Sequence, residues 1–139
     1  PVKRAAIAET GSFAGSQYSL RISPSRESVN RFYYLKATRG DKEVNKSFQK
    51  ASDLLRKNSI DNAALIWINF VDFDDHKIAS RACFNMALAA ELKNNYNLAI
   101  EWIEKSLDYN YSNKKTIDYL RVLKQRQEEI KRIKNQLNN

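Results

Sequence analysis

Asp72, Asp74, Asp75 and His76 are the one cluster in this sequence with metal-ligand chemistry, since carboxylates and an imidazole close together can share a divalent cation. A simpler assignment fits the spacing better. A calcium loop needs a central glycine and a distant glutamate, and neither is present. Acids just ahead of a helix cap its free N–H groups and favour its positive end. The cluster is therefore expected to be an inter-helix turn in which Asp74 or Asp75 caps a helix beginning near His76. Cys83 falls at an interior helical position, where a thiol behaves as a small buried hydrophobe, and His76, the single histidine, lies about two helical turns away. No Cys/His pair is expected. The chain has no glycine-rich phosphate loop, no serine elbow and no pair of acids spaced as general acid and base. These residues predict a non-enzyme with no metal and no cofactor.

Composition describes the body that carries them. A chain of 139 residues holds one domain, or one domain and a piece of another, and its 42% hydrophobic and 29% charged residues are those of an ordinary globular protein. Only 3 Gly and 2 Pro argue against a loop-rich or all-β fold. One cysteine excludes a disulfide framework and a cysteine-based zinc site. No apolar run reaches the roughly 18 residues of a membrane span. No signal-peptide pattern opens the chain, which starts at Pro1 and is expected to be excised from something longer. The formal charge of +8 suits phosphate binding, but its distribution points to basic extremities on a body of mixed sign. Residues 1–40 carry seven basic against two acidic residues, 113–139 eight against three, and 41–112 nine against eleven.

Apolar periodicity predicts five helices. The first runs from Lys42 to Asn58 with Val44, Phe48, Ala51, Leu54 and Leu55 on one face. The second runs from about Asp61, a good N-cap, to Phe73 and buries Ile60, Ala63, Ala64, Trp67, Phe70 and Val71. The third, His76 to Lys93, turns inward Ile78, Ala79, Ala82, Cys83, Met86, Ala87 and Ala90, and Asn94 and Asn95 end it. The fourth, Tyr96 to Tyr109, does so with Tyr96, Ala99, Ile100, Ile103 and Leu107. The last, Lys115 to Leu137, has a narrow stripe of Ile117, Leu120, Leu123, Ile130, Ile133 and Leu137. Residues 1–40 read as a separate segment: a helix from Lys3 to Gln17 with a seam of small residues, then a candidate β-hairpin, Tyr18–Ile22 and Val29–Leu35, around Ser23-Pro24-Ser25. A hairpin alone is marginal in water, so this segment is expected to dock on the helices or to be the remnant of a preceding domain.

An offset of 36 residues aligns the chain with itself: Phe48 with Phe84, Ala51 with Ala87, Asn58 with Asn94, Ile60 with Tyr96 and Ala63 with Ala99. Each unit is helix, turn, helix, with small residues where two helices must approach closely.

The stretch from Ala82-Cys83-Phe84-Asn85-Met86-Ala87 to Tyr96-Asn97-Leu98-Ala99-Ile100-Glu101-Trp102 resembles a tetratricopeptide repeat. Ala87, Tyr96 and Ala99 match that family's pattern, and Ile103 and Ser106 fill related positions. Ala90 replaces a usual Tyr, and Tyr111 stands where the closing Pro would be. In the first unit Ile60, Ala63 and Trp67 fit and Lys50 departs. The resemblance implies an all-α, right-handed superhelix over residues 41–139: two helix pairs and a long C-terminal capping helix. More weakly, Tyr18-Ser19-Leu20-Arg21-Ile22-Ser23-Pro24 and Arg31-Phe32-Tyr33-Tyr34 ahead of two repeats resemble the C-terminal half of an uncharacterised bacterial lipoprotein family. That likeness implies a cell-envelope location, with membrane attachment only through a lipid anchor outside this chain.

The tetratricopeptide resemblance places Arg81, Phe84, Asn85, Leu88, Glu91 and Leu92 on a concave, partner-binding face, joined by Asn45, Phe48, Gln49, Ser52 and Arg56 of the first unit. Exposed Phe48, Phe84 and Leu88 would need a cover, either a partner peptide or the chain's own N-terminal segment or final helix. Asn85 matches a carboxylate-clamp asparagine, but Phe48 and Ser52 stand where that clamp has Lys and Asn, so no clamp is expected. The final helix, with Lys124, Arg126, Lys131, Arg132 and Lys134 on its polar side, is expected to cap the stack and keep one face wet. The expected function is a non-catalytic scaffold that binds a protein or peptide through the concave face, as a monomer or weak homodimer. The alternative is electrostatic binding of nucleic acid or an anionic membrane by the basic ends.

Overall fold

The computed structural model describes residues 5–8, 17–22 and 29–138, with side chains from Arg31 onward. Five helices dominate: α1 (Lys42–Arg56), α2 (Ile60–Trp67), α3 (His76–Leu92), α4 (Tyr96–Tyr109) and α5 (Lys114–Asn138). Each packs on its neighbours in sequence. Three strands precede them, β1 (Ala5–Ala8), β2 (Gln17–Ile22) and β3 (Val29–Tyr34), in an antiparallel sheet of order β1-β2-β3.

The first strand is a correction. Ala5-Ala6-Ile7-Ala8 was expected within a helix, and it pairs instead with Ser19 to Ile22 of β2. Alanine is a good helix former, but backbone pairing with a neighbouring strand overrides so short a local preference. Residues 9–16 of that expected helix lie outside the described residues. The hairpin forms as the pattern predicted, with Tyr18 opposite Tyr33 and Leu20 opposite Arg31.

The helices start and stop where their terminal residues dictate. α1 and α3 end alike: Asn58 and Asn94 adopt left-handed backbone, φ 62° and 63°. The N–H of Ser59 reaches back to the Leu54 carbonyl as that of Asn95 does to Ala90. The Asn58 and Asn94 N–H groups likewise find Leu55 and Glu91, so both ends are Schellman motifs that satisfy otherwise orphaned carbonyls. Asp41, Asp75 and Asn95 cap α1, α3 and α4 by accepting from Val44, Lys77 and Leu98 N–H groups. At α2 the cap position belongs to Ser59 rather than Asp61, which sits in the first turn. The α-helix also stops sooner than expected, at Trp67, and tightens into a single 3-10 turn, Ile68–Phe70.

Close approach depends on small side chains. Ala51, Ala63, Ala87 and Ala99 are all fully buried. Ser80 and Ser106 fill the α3–α4 contact, the Ser106 hydroxyl donating to the Ser80 carbonyl at 2.8 Å. Apolar side chains gather in two clusters. One holds Tyr33, Phe48, Leu55, Trp67, Ile78 and Leu88; the other holds Tyr34, Phe84, Ile103, Tyr119 and Leu123. Successive strand residues point to opposite sides, so Tyr33 enters the first cluster and Tyr34 the second. β3 is thus wedged between them.

α5 buries Thr116, Tyr119 and Leu123. Its expected stripe is only partly used: Ile117 is exposed, and residues 131–138 stand in solvent with Ile133 and Leu137 uncovered. Leu123 is buried and Leu120 and Ile130 pack against the core as expected, whereas at the start of α5 Thr116 and Tyr119 turn inward in place of Ile117, the Tyr119 hydroxyl having a partner there. Among the described residues no helix is long and apolar enough to cross a membrane.

Candidate functional site

The groove beside α3, where the expected partner-binding residues converge, holds β3. Asn85, fully buried, turns its amide onto the strand's backbone: the Tyr34 N–H donates to Asn85 Oδ1 at 2.7 Å, and Asn85 Nδ2 donates to the Tyr34 carbonyl at 2.7 Å. The side chain does what a neighbouring strand would do and closes this edge of the sheet.

Other groove residues hold the strand's side chains. Glu91 accepts two bonds from Arg31 Nε, at 3.0 and 3.2 Å, and one from Nη2 at 3.0 Å. The Tyr119 hydroxyl donates to the same carboxylate at 2.6 Å. Burial alone would lower the Arg31 pKa, but the Glu91 hydrogen bond and charge outweigh it and hold the guanidinium above its ordinary value. Burial, reinforced by Glu91, pushes the Tyr119 hydroxyl well above the usual tyrosine range. Ser52 and Tyr33 share a hydroxyl–hydroxyl hydrogen bond of 2.6 Å. Phe84 meets the Tyr34 ring edge-on at 5.1 Å, while the Arg81 guanidinium lies over the Tyr34 ring at 4.6 Å and donates to the Lys36 carbonyl at 3.0 Å. Asn45 ties down the connection to α1, accepting from the Ala37 and Thr38 N–H groups and donating to the Thr38 carbonyl.

Phe48 and Leu88 are fully buried core residues, with Phe48 tilted against Phe70, and Leu92 is half-buried. Gln49 and Arg56 remain exposed on α1. Of the two covers weighed for this face, the chain's own N-terminal strand lies over it. Sequence reasoning placed Arg31, Tyr33 and Tyr34 on a strand and Tyr119 on a helix, but assigned none of them to the groove. The signal lay in four consecutive large residues, Arg31-Phe32-Tyr33-Tyr34, which break the in-out alternation of a half-exposed strand.

The groove is not closed throughout. Between β3 and α5 a cleft of about 200 Å³ is lined by Arg31, Phe32, Phe84, Lys115, Asp118, Tyr119 and Val122. Phe32 is 47% exposed there, and the Lys115 ammonium lies 5.4 Å from its ring centroid.

The acidic turn plays the part its position suggested. Asp75 caps α3, and Asp72 accepts from Lys105 at 2.7 Å and from the Tyr109 hydroxyl at 3.3 Å. The Lys105 hydrogen bond and charge hold the Asp72 carboxyl below its usual range. Cys83 is buried and its thiol is pushed up to about 12 by desolvation, far from nucleophilic. Among the described residues no three His, Cys, Asp or Glu side chains come together as metal ligands.

The sequence profile of a family described as a domain of unknown function, DUF6340, matches residues 49–138. The match starts within α1 and runs to the end of α5, leaving the strands outside it. No curated protein matches the chain.

Proposed function

The chain belongs to the DUF6340 family, and from its geometry we propose a non-catalytic scaffold that binds another protein or peptide on the concave side of a right-handed, tetratricopeptide-like stack capped by α5. The repetition of structural events at an offset of 36 residues supports the stack: matched Schellman ends at Asn58 and Asn94, and matched buried alanines at 51/87 and 63/99. The observation that carries the binding reading is how the groove holds β3, reading main chain through Asn85 and side chains through Ser52, Phe84 and Glu91. A groove with those fittings suits an extended segment, and the part β3 leaves accessible is the cleft at Phe32.

Immobilised protein tests this with extract of the source cells, at low and moderate salt, beside a Phe32→Ala variant. Phe32 is half-exposed, so its truncation leaves the fold intact. A protein retained at both salts and lost with Phe32→Ala is the expected result. Retention indifferent to Phe32 overturns the concave-side reading.

A second reading rests on the last turns of α5, where Lys131, Arg132 and Lys134 stand exposed beside uncovered Ile133 and Leu137. Binding of nucleic acid or anionic lipid there would fall steeply with salt. Affinity that does not change with salt eliminates it.

A further inference from the structure

We propose that the free end of α5 docks in the cleft between α2 and α4 of a second copy of this chain. The contact does not use the Phe32 cleft and stands apart from the scaffold reading above.

The outer side of α2 and α4 is apolar at its centre. A cleft of about 260 Å³ opens there over α3, and Ile60, Ala64, Met86, Leu98 and Trp102 make most of its lining. Leu98 is 38% exposed. Leu65 and Ile68, 65% and 40% exposed, stand one helical turn beyond Asp61 and Ala64 of the same lining. Exposed apolar side chains gathered in this way and rimmed by charge mark an interaction site.

The rim is acidic. Glu101, Glu104 and Asp108 form one exposed stripe along α4 beside Leu98 and Trp102, and none has an ion-pair partner among the described residues. The neighbouring lysines are already committed, Lys93 to Asp61 at 3.3 Å and Lys105 to Asp72 at 2.7 Å.

The end of α5 has the opposite character. At 1.5 Å per residue this helix is about 37 Å long and the α4 on which it packs about 21 Å, so its last turns project beyond the body. Ile133 and Leu137, one turn apart, are 54% and 80% exposed. Residues 130–138 carry Lys131, Arg132 and Lys134 and no acid. Lys131 has Glu128 at 3.8 Å, whereas Arg132 and Lys134 are exposed with no ion-pair partner among the described residues. Arg132 and Lys134 flank Ile133 on the helix, so seating Ile133 and Leu137 in the cleft brings a cation against the acidic stripe of α4. α5 runs unbroken to Asn138 and cannot fold back onto its own α2 and α4. The cleft it fills therefore belongs to another molecule. The two surfaces are unlike, which makes the contact heterologous, and it is short, which makes the association weak.

Sedimentation equilibrium of the full chain, up to about 1 mM to populate so small a contact, tests this. The average mass should rise with concentration. The association constant should fall about five-fold between about 0.05 and 0.5 M salt, as exposed ion pairs are screened. Leu98→Lys blocks the cleft and leaves the helix end intact; Ile133→Glu with Leu137→Glu does the reverse. All three positions are exposed, and circular dichroism checks that the fold survives. Each variant alone should stay monomeric, and the two mixed should form a one-to-one complex that grows no further. A wild-type protein that stays monomeric throughout, whether or not its α5 end binds anionic vesicles, overturns the proposal. So does self-association that either variant leaves intact, or a mixture that fails to pair.

Discussion

Arg31 and Glu91, sixty residues apart, meet in a forked ion pair with side chains only 12% and 3% exposed. The pair joins the last strand to α3, and the Tyr119 hydroxyl on the same carboxylate brings in α5. One buried carboxylate thus ties three elements together. Its value lies in being complete, because a buried charge left alone is costly.

Glu91→Gln should therefore destabilise the fold by about 3 kcal/mol, since it leaves the Arg31 guanidinium buried without its counter-charge. Arg31→Met together with Glu91→Gln should be milder than the sum of the single changes. Urea unfolding of the three variants checks this, and strictly additive losses would show that the pair is uncoupled.

Asn85→Leu keeps the volume but leaves the Tyr34 N–H and carbonyl buried without partners. A loss of about 3 kcal/mol is expected for the two groups. Hydrogen exchange at the Tyr34 amide should accelerate more than at other core amides, and unchanged exchange there would refute the clasp.

Leu88→Ala should cost about 3 kcal/mol, as for any well-packed leucine, because Leu88 is fully buried. Leu88→Arg should prevent folding. A folded, soluble Leu88→Arg protein, judged by circular dichroism, would show that the groove opens in solution.

Alkaline pH should weaken the fold. Cys83 and Tyr119 keep their protons in the native state to higher pH than in the unfolded chain. Above about pH 8.5 for the thiol and about pH 10 for the phenol, the unfolded state binds fewer protons than the native one, so stability falls as pH rises. Below about pH 7 these two groups impose almost no slope. Cys83→Ala should remove the earlier part of the decline and leave the later part. A thiol reagent at pH 8 should label native Cys83 far more slowly than unfolded chain.

The helices were legible because their ends are written in single residues. Asn58 and Asn94 tolerate left-handed backbone, and Asp75 and Asn95 supply capping oxygens, so local chemistry suffices. β1 was illegible because Ala5-Ala6-Ile7-Ala8 favours helix locally, a preference that only the pairing with β2 overrides. That Ser52, Phe84, Asn85 and Glu91 share one face was an expectation drawn from the tetratricopeptide resemblance. What fills that groove could not be read, since Asn85 meets Tyr34 across 51 residues and no local pattern encodes that distance. Tyr119 was missed for a similar reason: it lies off the apolar stripe of α5, and its partner, the buried Glu91 carboxylate, is distant in sequence.

The adjacent tyrosines of β3 have a consequence for how the molecule comes apart. A stack of helix pairs touching only their neighbours can fray from either end, each unit melting in its own range. Tyr33 and Tyr34 root one strand in both apolar clusters, so neither half can loosen without pulling on the other. Heating should then yield a single transition, with calorimetric and van't Hoff enthalpies equal. Truncating either ring should broaden it toward two. The strand is the pin that turns a short, divisible stack into one all-or-none unit.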